Sequence, residues 1–344
     1  MPTKSTDHPL EIVDISEINQ DAADKLLHAA ASQGFLLLEG HGFSADHVKT
    51  LFDVSQKYFE TPLEEKTKYP IDESNAGYTG IGVENLHEDD PNRKVGDPKE
   101  GYNFCKLDLE SGTPNHEIPE YLKENSDLIK KTIVHYTEVI DHVLTLLAMG
   151  LKIEEEKGGA KYFVDRHPKT SSSGSTFRFL HYPSPVSLNP QELIRAGAHT
   201  DYGGITLLFQ KEGEGGLEIF SPVSKNWQPI PFVAASPELA AKGEAPPLVV
   251  NIGDLLSYWT NGLLKSTIHR VKFPADVQKT GRSRYSIVFF SHPAEETELS
   301  PVPSELIPSD NSRGAGAYFA EHGKSQTARE HLAKRLASSY GWGY

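Results

Sequence analysis

The sequence predicts a mixed, mainly β fold with helices towards both ends of the chain. The N-terminal part contains amphipathic helical patterns, the longest of which ends near residue 147. Residues 176–291 instead contain short apolar runs broken by turn residues, which is typical of a sandwich, jelly roll or barrel. A last helical pattern follows near the C-terminus. With 344 residues, the chain is long enough to bury a large core without disulfide or metal staples.

Apolar spacing and capping residues define the elements before residue 70. Asn19 or Asp21 can cap a helix that Gly34 ends. In chain order, the predicted elements are a short edge strand over 12–15, a helix over 21–33, a buried strand over 35–38, a turn at 40–42 and a helix over 45–59.

Residues 70–115 are rich in Gly, Pro, Asn and Asp and show weak periodicity. They predict an irregular segment, either a lid over a functional site or a plain surface loop. A long helix over 128–147 follows, because its apolar residues fall on one stripe. We expect one compact unit made of three regions, namely an N-terminal helical and lid region (1–125), the long helix with a β core (126–292), and a C-terminal segment with a helix (293–344).

Six short apolar runs in the second half of the chain predict β-strands. They cover residues 177–181, 205–209, 217–220, 248–251, 266–271 and 285–291. The stretch 234–247, rich in Ala, Glu and Pro, reads as an insertion between two of these strands. Thr327 and Glu330 have the spacing of a capping box and predict a last helix over 327–340.

Charge and cysteine content limit the classes of function. The formal net charge is −14 and the pI is about 5.5, which argues against nucleic acid or an anionic membrane as the main partner. Cys105 is the single cysteine, so an internal disulfide framework and a cysteine-rich zinc site are excluded. The first residues lack the apolar core of a secretory signal, and no apolar run approaches the ~18 residues of a membrane span. We therefore expect a cytoplasmic enzyme that acts on a small molecule, as a monomer or a homodimer.

His199, Asp201 and His269 form a candidate metal site. His199 and Asp201 are two positions apart, so their side chains share one face of an extended strand. His269 lies in a later β-type run, which a sheet that folds back on itself could bring to the same ion. Two imidazoles and one carboxylate with open coordination positions are typical of non-heme Fe(II) centres. A zinc hydrolase could use the same ligands, and a His-x-Asp pair alone often arises by chance.

Arg284 and Ser286 supply a candidate carboxylate clamp after the metal motif. They are two apart, so they share a strand face as well. The guanidinium offers a planar fork and the serine adds a hydroxyl donor. Alone this pair carries little information, but after the three ligands it predicts an organic acid held across the metal.

In order and spacing, these motifs resemble those of the Fe(II)/2-oxoglutarate-dependent dioxygenases, and within them the isopenicillin N synthase-like branch. The matching segments are Gly34-Phe35-Leu36-Leu37-Leu38 with His41-Gly42, Lys99-Glu100-Gly101-Tyr102, Phe179-Leu180-His181-Tyr182-Pro183, His199-x-Asp201, Asn251-Ile252-Gly253-Asp254, His269-Arg270-Val271 and Arg284-x-Ser286. The resemblance covers nearly the whole chain, from about residue 13 to residue 340. It implies a double-stranded β-helix, a jelly-roll variant, flanked by N-terminal helices and a C-terminal helix.

The same resemblance implies the roles of individual residues. His199, Asp201 and His269 would bind Fe(II), and Arg284 with Ser286 would bind the distal carboxylate of 2-oxoglutarate. Tyr182 would donate its hydroxyl to the same co-substrate, or would be buried for packing. No catalytic residue is expected beyond the metal centre. The implied reaction consumes O2 and 2-oxoglutarate, uses ascorbate as reductant, hydroxylates a substrate and releases succinate and CO2.

The implied centre must exclude water, and large apolar residues near the motifs suit that task. Leu207, Phe209 and Phe289 are candidates for this role, although ordinary core packing explains them equally well.

Within the family, the stretches 195–210, 265–271 and 284–287 are most similar to the fungal thymine dioxygenases (thymine 7-hydroxylases). This similarity implies a flat substrate ring between Tyr202 and Phe290, with hydrogen bonds from Arg178 and Asn75. The alternatives are a structural salt bridge for Arg178, whose charge lies among apolar strand residues and needs a partner, and a turn role for Asn75. Other similar family members act on alkaloids, flavonoids and other secondary metabolites. We expect a small, planar, nitrogen-containing or aromatic substrate.

Three other functions remain open from the sequence. The first is an Fe(II) oxidase of the same fold that uses no 2-oxoglutarate, or a desaturase or cyclase of secondary metabolism. The second is a catalytically silent binding protein on the same scaffold, and the third is the zinc hydrolase.

Overall fold

The computed structural model describes residues 9–86, 96–184, 194–273, 282–309 and 314–340. The strands are β1 (Ile12–Asp14), β2 (Phe35–Glu39), β3 (Gly77–Thr79), β4 (Glu100–Phe104), β5 (Leu107–Asp108), β6 (Thr113–Pro114), β7 (Thr176–Tyr182), β8 (Ile194–His199), β9 (Ile205–Gln210), β10 (Leu217–Phe220), β11 (Trp227–Pro229), β12 (Leu248–Ile252), β13 (His269–Lys272) and β14 (Arg284–Ser291). The helices are α1 (Gln20–Ser32), α2 (Ala45–Phe59), α3 (Leu63–Lys66), α4 (Glu120–Glu124), α5 (Ser126–Gly150), α6 (Pro237–Ala241), α7 (Asp254–Trp259), α8 (Ala315–His322) and α9 (Ala328–Tyr340).

Two sheets form the β core. The larger sheet has the strand order β1-β2-β12-β9-β14-β7-β4-β3, and the smaller sheet has the order β11-β10-β13-β8. Every strand pair in them is antiparallel except β1 with β2. From β7 to β14 the chain passes back and forth between the two sheets. This is the connectivity of the predicted jelly roll.

Strand β2 shows how the core is layered. All five of its side chains are buried, although successive side chains of a strand point to opposite faces of the sheet. Leu36 and Leu38 pack with the helices, whereas Phe35 and Leu37 pack with residues of the smaller sheet. A strand that is covered on both faces needs a continuous apolar run, which is what this segment has. The molecule therefore has three layers, with the larger sheet between the helices and the smaller sheet.

Helices α1 and α2 both begin at a residue whose side chain caps them, and for α1 this residue, Asn19, is a predicted cap. The side chain of Asn19 accepts a hydrogen bond from the Ala22 amide at 2.9 Å and caps α1, and Ser44 caps α2 in the same way. Helix α5 supports the larger sheet, because Tyr136 stacks on Phe289 with ring centroids 5.3 Å apart. Truncating a buried aromatic residue of this kind costs about 3–5 kcal/mol, so this contact anchors the helical layer.

The structure corrects the expectation for residues 70–115. Strands β3 and β4 lie in this segment and extend the larger sheet beyond β7, while β5 and β6 pair separately. Strand β4 lies between β3 and β7. Gly101 allows close packing against β7, because a Cβ there would lie 3.2 Å from a methyl group of Leu180. The prediction of an irregular segment is therefore wrong over 77–79 and 100–104. Residues 87–95 of the predicted lid lie outside the described residues.

The C-terminal part contains helix α8, which the sequence patterns did not predict, and the predicted last helix, α9. The capping box of α9 is confirmed: the Thr327 hydroxyl accepts from the Glu330 amide at 3.2 Å, and the Glu330 carboxylate accepts from the Thr327 amide at 3.1 Å. Among the described residues, no helix is both long enough and apolar enough to cross a membrane.

Candidate active site

The three candidate metal ligands converge at one end of the smaller sheet. His199 ends β8 and His269 begins β13, and the two residues are directly paired across these strands. Asp201 follows β8 by two residues, and its Oδ1 lies 3.9 Å from Nε2 of His199 and 3.6 Å from Nε2 of His269. Ligand atoms of all three lie within 4.8 Å of one another. In the described part of the chain, no other cluster of His, Cys, Asp and Glu has this geometry.

Backbone carbonyl groups fix the orientation of both imidazoles. Nδ1 of His199 lies 2.7 Å from the carbonyl oxygen of Gly197, and Nδ1 of His269 lies 3.1 Å from that of Thr267. Because a carbonyl oxygen only accepts hydrogen bonds, each Nδ1 carries the proton. Each Nε2 then carries no proton, and its lone pair is available to bind a metal next to Asp201.

The carboxylate of Asp201 is oriented by two donors. Its Oδ2 accepts hydrogen bonds from the Thr206 hydroxyl at 2.6 Å and from the side-chain amide of Asn251 at 2.7 Å. These contacts leave Oδ1 directed at the two histidines. Asn251 belongs to the Asn-Ile-Gly-Asp motif noted in the sequence, but nothing in the sequence assigned it or Thr206 this role.

The protonation states match those of a metal site. Burial, together with the neighbouring His269, lowers the pKa of His199 to about 4, so its imidazole is neutral at pH 7. Burial opposes ionisation of Asp201, but the adjacent histidines and the donors from Thr206 and Asn251 hold the pKa of its carboxyl below the ordinary value. Two imidazoles and one carboxylate, with open positions around them, fit Fe(II).

An inner cavity runs from these ligands between the two sheets to Arg284. This arginine is 1% exposed, and it donates to the Ser286 hydroxyl at 3.2 Å and to the carbonyl oxygen of Glu214 at 3.1 Å. Among the described residues, its Nη2 has no hydrogen-bond partner. An unpaired, buried guanidinium nitrogen is costly, and a carboxylate would satisfy it. Tyr182 lines the same cavity, and its ring lies 4.9 Å from the Arg284 guanidinium.

An outer cavity of about 430 Å³ lies on the other side of the metal ligands. His199 and Asp201 line both cavities, so the candidate metal position lies at their junction. The outer cavity brings together all four predicted substrate residues, which are Asn75, Arg178, Tyr202 and Phe290. Phe290 also borders the inner cavity.

Arg178 belongs to a buried polar network rather than standing alone. Its guanidinium lies 3.2 Å from the Glu84 carboxylate, which in turn lies 2.5 Å from Nζ of Lys99, and its Nε donates to Asn103. The expected partner for this charge is therefore present. Glu84 and Lys99 both lie next to the cavities, but Glu84 falls in the segment predicted to be irregular and gave no signal in the sequence.

Asn75 occupies a turn, with a φ of 63°, in the left-handed region that Asn tolerates. Its side-chain oxygen accepts a hydrogen bond from the amide of Asn103 at 3.1 Å. Asn75 also lines the outer cavity. The turn role and the substrate role considered for this residue are thus compatible.

Of the two roles considered for Leu207, Phe209 and Phe289, ordinary core packing is confirmed, and shielding of the metal centre is wrong. All three belong to the core beneath the helices, on the opposite face of the larger sheet. Their sequence neighbours Leu208 and Phe290 line the inner cavity instead. Both faces of these strands are apolar, so the alternation of residues does not reveal which face holds the site.

Comparisons with known proteins agree with this geometry. Residues 10–124 match the family described as non-haem dioxygenase in morphine synthesis N-terminal, and residues 174–293 match the 2OG-Fe(II) oxygenase superfamily. The 2-oxoglutarate-Fe(II) type oxidoreductase hxnY of Emericella nidulans is 30% identical over 337 residues, covering 88% of this chain and 85% of its own length. The 2-oxoglutarate-dependent dioxygenase traH of Penicillium crustosum is 27% identical, covering 92% of this chain and 87% of its own.

Solved structures show the same fold. The thymine 7-hydroxylase of Neurospora crassa in complex with alpha-KG superposes with a TM-score of 0.73 at 28% identity, covering 95% of each chain. The complex of the same enzyme with alpha-KG and thymine gives a TM-score of 0.75 at 25% identity and covers 98% of each chain. These matches extend over nearly the whole chain. The chain thus belongs to the 2OG-Fe(II) oxygenase superfamily, as a dioxygenase that uses Fe(II), 2-oxoglutarate and O2.

Proposed function

We propose that this enzyme hydroxylates a small, planar organic molecule bound in the outer cavity, with release of succinate and CO2. The position of the candidate metal ligands at the junction of two cavities carries this proposal. The inner cavity ends at a buried cation, and the outer cavity has aromatic and polar walls. Two molecules can therefore approach one ion from different sides.

In the inner cavity, we assign 2-oxoglutarate to the space between the metal ligands and Arg284. Nη2 of Arg284 would pair with the distal carboxylate, since it lacks a partner within the described residues. Ser286 would donate its hydroxyl to the same carboxylate, while its oxygen accepts from Nη1 of Arg284. Tyr182 would donate its hydroxyl to the same co-substrate, and its ring lies over the Arg284 guanidinium.

At the junction, His199, Asp201 and His269 would hold Fe(II) through Nε2, Oδ1 and Nε2. Bound iron would supply the activation of O2 that couples decarboxylation of 2-oxoglutarate to oxidation of the substrate. The chain itself keeps the His199 imidazole neutral through burial and directs Oδ1 of Asp201 through Thr206 and Asn251. The apolar side chains of Phe35, Leu208 and Val288 limit the access of water from the sheet side.

In the outer cavity, Tyr202 and Phe290 offer aromatic surfaces, and Arg178 with the amide of Asn75 offers hydrogen-bond donors. Glu84 adds acceptor oxygens beside Arg178. A flat molecule with both a donor and an acceptor on one edge would match this wall. The thymine bound to the similar Neurospora enzyme is a molecule of this kind.

The net charge and the single cysteine support the proposed class of partner and the proposed cellular location. The net charge of −14 favours a small-molecule partner over nucleic acid. Cys105 is buried and free, which suits the reducing cytoplasm proposed for this enzyme.

The experiment that tests the function has two steps. Anaerobic addition of Fe(II) and 2-oxoglutarate to the purified full chain should produce a visible absorption band, and the variant Asp201→Ala should not produce it. Succinate formation is then measured with a panel of nucleobases, other nitrogen heterocycles, flavonoids and aliphatic amino acids. We expect stimulation by one or more planar rings and a rise in KM for Phe290→Ala.

Each alternative predicts a different outcome of these measurements. Stimulation by aliphatic amino acids but by no ring would refute the assigned substrate class. Substrate turnover without consumption of 2-oxoglutarate would indicate the oxidase alternative, and a product with a new double bond or ring would indicate the desaturase or cyclase.

A further inference from the structure

We propose that Arg335, on the C-terminal helix α9, is a positioning residue of the metal centre. It links one wall of the outer cavity to the segment that carries His199 and Asp201. The part of this inference that concerns the substrate rests on the proposed function. The part that concerns the metal ligands rests on contacts alone.

Helix α9 forms part of the outer cavity. Leu332 and Leu336 are one turn apart on this helix, are half-buried, and line the cavity opposite the metal ligands. Leu332 also closes against the backbone of Gly174, where an added Cβ would collide with its methyl group. The helix thus contacts the strand end before β7 and faces the space assigned to the substrate.

Arg335 connects this helix to the metal-bearing segment. Its guanidinium lies 2.9 Å from Oδ2 of Asp254 and donates to the hydroxyl of Thr200 at 3.2 Å. The same guanidinium lies 4.7 Å from the ring centroid of Tyr202. Thr200 lies between His199 and Asp201 in sequence, and Tyr202 follows them, so one side chain contacts both neighbours of Asp201.

Asp254 makes this contact part of a larger assembly. Its Oδ2 also accepts from the Thr200 hydroxyl at 2.9 Å, and its Oδ1 accepts from the Ser266 hydroxyl at 2.6 Å, three residues before His269. The Asp254 amide donates to the carbonyl oxygen of Asp201 at 2.7 Å. A single carboxylate therefore ties together the segments that carry all three ligands, and Arg335 supplies its counter-charge.

A second arginine on the same helix serves as a matched control. Arg329 lies 2.7 Å from the Glu295 carboxylate and 2.6 Å from that of Glu296, and its side chain is 60% exposed. It also attaches α9 to the rest of the molecule, but its ion pairs are made with Glu295 and Glu296 and not with the segment around Asp201. If α9 only needs to be attached, loss of either arginine should have the same consequence. If Arg335 positions the ligands, only its loss should reach them.

The experiment compares Arg335→Gln, Arg335→Lys and Arg329→Gln in the full chain. Hydrogen exchange of backbone amides is measured by mass spectrometry on the iron-free protein, and the affinity for Fe(II) is measured by anaerobic titration. We expect Arg335→Gln to speed exchange over 199–204 and 254–258 by about tenfold. We also expect it to weaken Fe(II) binding by about tenfold, because the hydrogen-bonded residues around metal ligands keep those ligands oriented. Arg329→Gln should leave both quantities within about twofold of wild type.

The conservative variant completes the test. Arg335→Lys keeps the charge beside Asp254 but loses the planar fork, so it should restore most of the Fe(II) affinity. Equal effects of the two glutamine variants, or no effect of Arg335→Gln on exchange over 199–204, would overturn the proposal. A protein that binds Fe(II) but shows no 2-oxoglutarate-dependent absorption would contradict the proposed function instead, and the exchange data would still decide the role of Arg335.

Discussion

His199 and His269 are cross-strand partners at the end of the smaller sheet, with ring centroids 4.3 Å apart. Strands β8 and β13 are far apart in the chain, yet their antiparallel register places two imidazoles directly opposite each other. The ligand geometry is therefore built on paired strands rather than on loops. Asp201 alone lies on a connecting segment, and it is fixed by hydrogen bonds to β9 and β12.

Replacement of His269 should abolish iron binding. With one imidazole removed, only Asp201 and His199 remain of the three ligands that bind one face of the ion. We expect His269→Ala to bind less than about a tenth as much Fe(II) as wild type under matched conditions, since even an outer partner of a ligand is worth about 10–100-fold in affinity. Bound iron after desalting would be the measurement. His181→Gln is the matched control, because His181 bonds Glu100 and stacks on Tyr285 outside the site; equal iron loss in both variants would contradict the assignment.

Removal of the donors to Asp201 should weaken iron binding without abolishing it. Thr206→Val keeps the volume of the side chain and removes one hydrogen bond to Oδ2, whereas Asn251→Ala removes the other. We expect each change to lower Fe(II) affinity by about 10–100-fold. Anaerobic titration with thermal melting as a control for folding would measure it. An affinity equal to that of wild type in both variants would show that the orientation of Oδ2 is unimportant.

Arg284 and Ser286 should contribute unequally to 2-oxoglutarate binding. Arg284 carries the charge and an Nη2 without a partner among the described residues, whereas Ser286 is a neutral hydroxyl that accepts from Nη1 and can donate its own proton. A hydrogen bond to a charged group is worth about 1.5–3 kcal/mol. Loss of Arg284 removes such bonds together with the positive charge, whereas loss of Ser286 removes only one uncharged hydroxyl. We expect the KM for 2-oxoglutarate to rise about 10–100-fold in Arg284→Gln and about fivefold in Ser286→Ala. Initial rates of succinate formation at varied 2-oxoglutarate give both values, and a larger effect of the serine would reverse our assignment.

Local signals in the sequence located the four longest helices, α1, α2, α5 and α9. Helix α2 begins and ends where its apolar spacing predicts, and the Thr327–Glu330 capping box forms as expected. These features depend on residues three or four positions apart, so they can be recognised in the chain itself. The three candidate ligands were recognisable for a different reason, because their residue types and order are those of a known family.

Features that depend on distant pairing could not be predicted. Strand β4 reads as a loop because its glycine and polar residues become strand-like only between β3 and β7. The choice between Leu207 and Leu208 as a cavity residue depends on which face of a doubly buried sheet opens. Likewise, the sequence places Arg335 on the predicted last helix but does not show its partner. Only the packing of α9 in the fold brings it to Asp254.

His292 should make the stability of the fold depend on acidity. Burial, and then the nearby His331 and His167, lower the pKa of His292 to about 3, and neither of its ring nitrogens has a hydrogen-bond partner among the described residues. Between about pH 6.5 and pH 3 the unfolded chain therefore binds a proton at this position and the folded chain does not. The free energy of unfolding must fall as the pH falls through this window, by up to about 1.4 kcal/mol per pH unit for each such histidine. The free energy of unfolding of the iron-free protein would be measured by urea unfolding at pH 5, 6 and 7.5. Below pH 6.5, its change per pH unit should be smaller in His292→Gln than in wild type by about this amount. Above pH 7 the slopes of variant and wild type should coincide, and a slope that stays at the wild-type value below pH 6.5 would show that His292 is protonated in the fold.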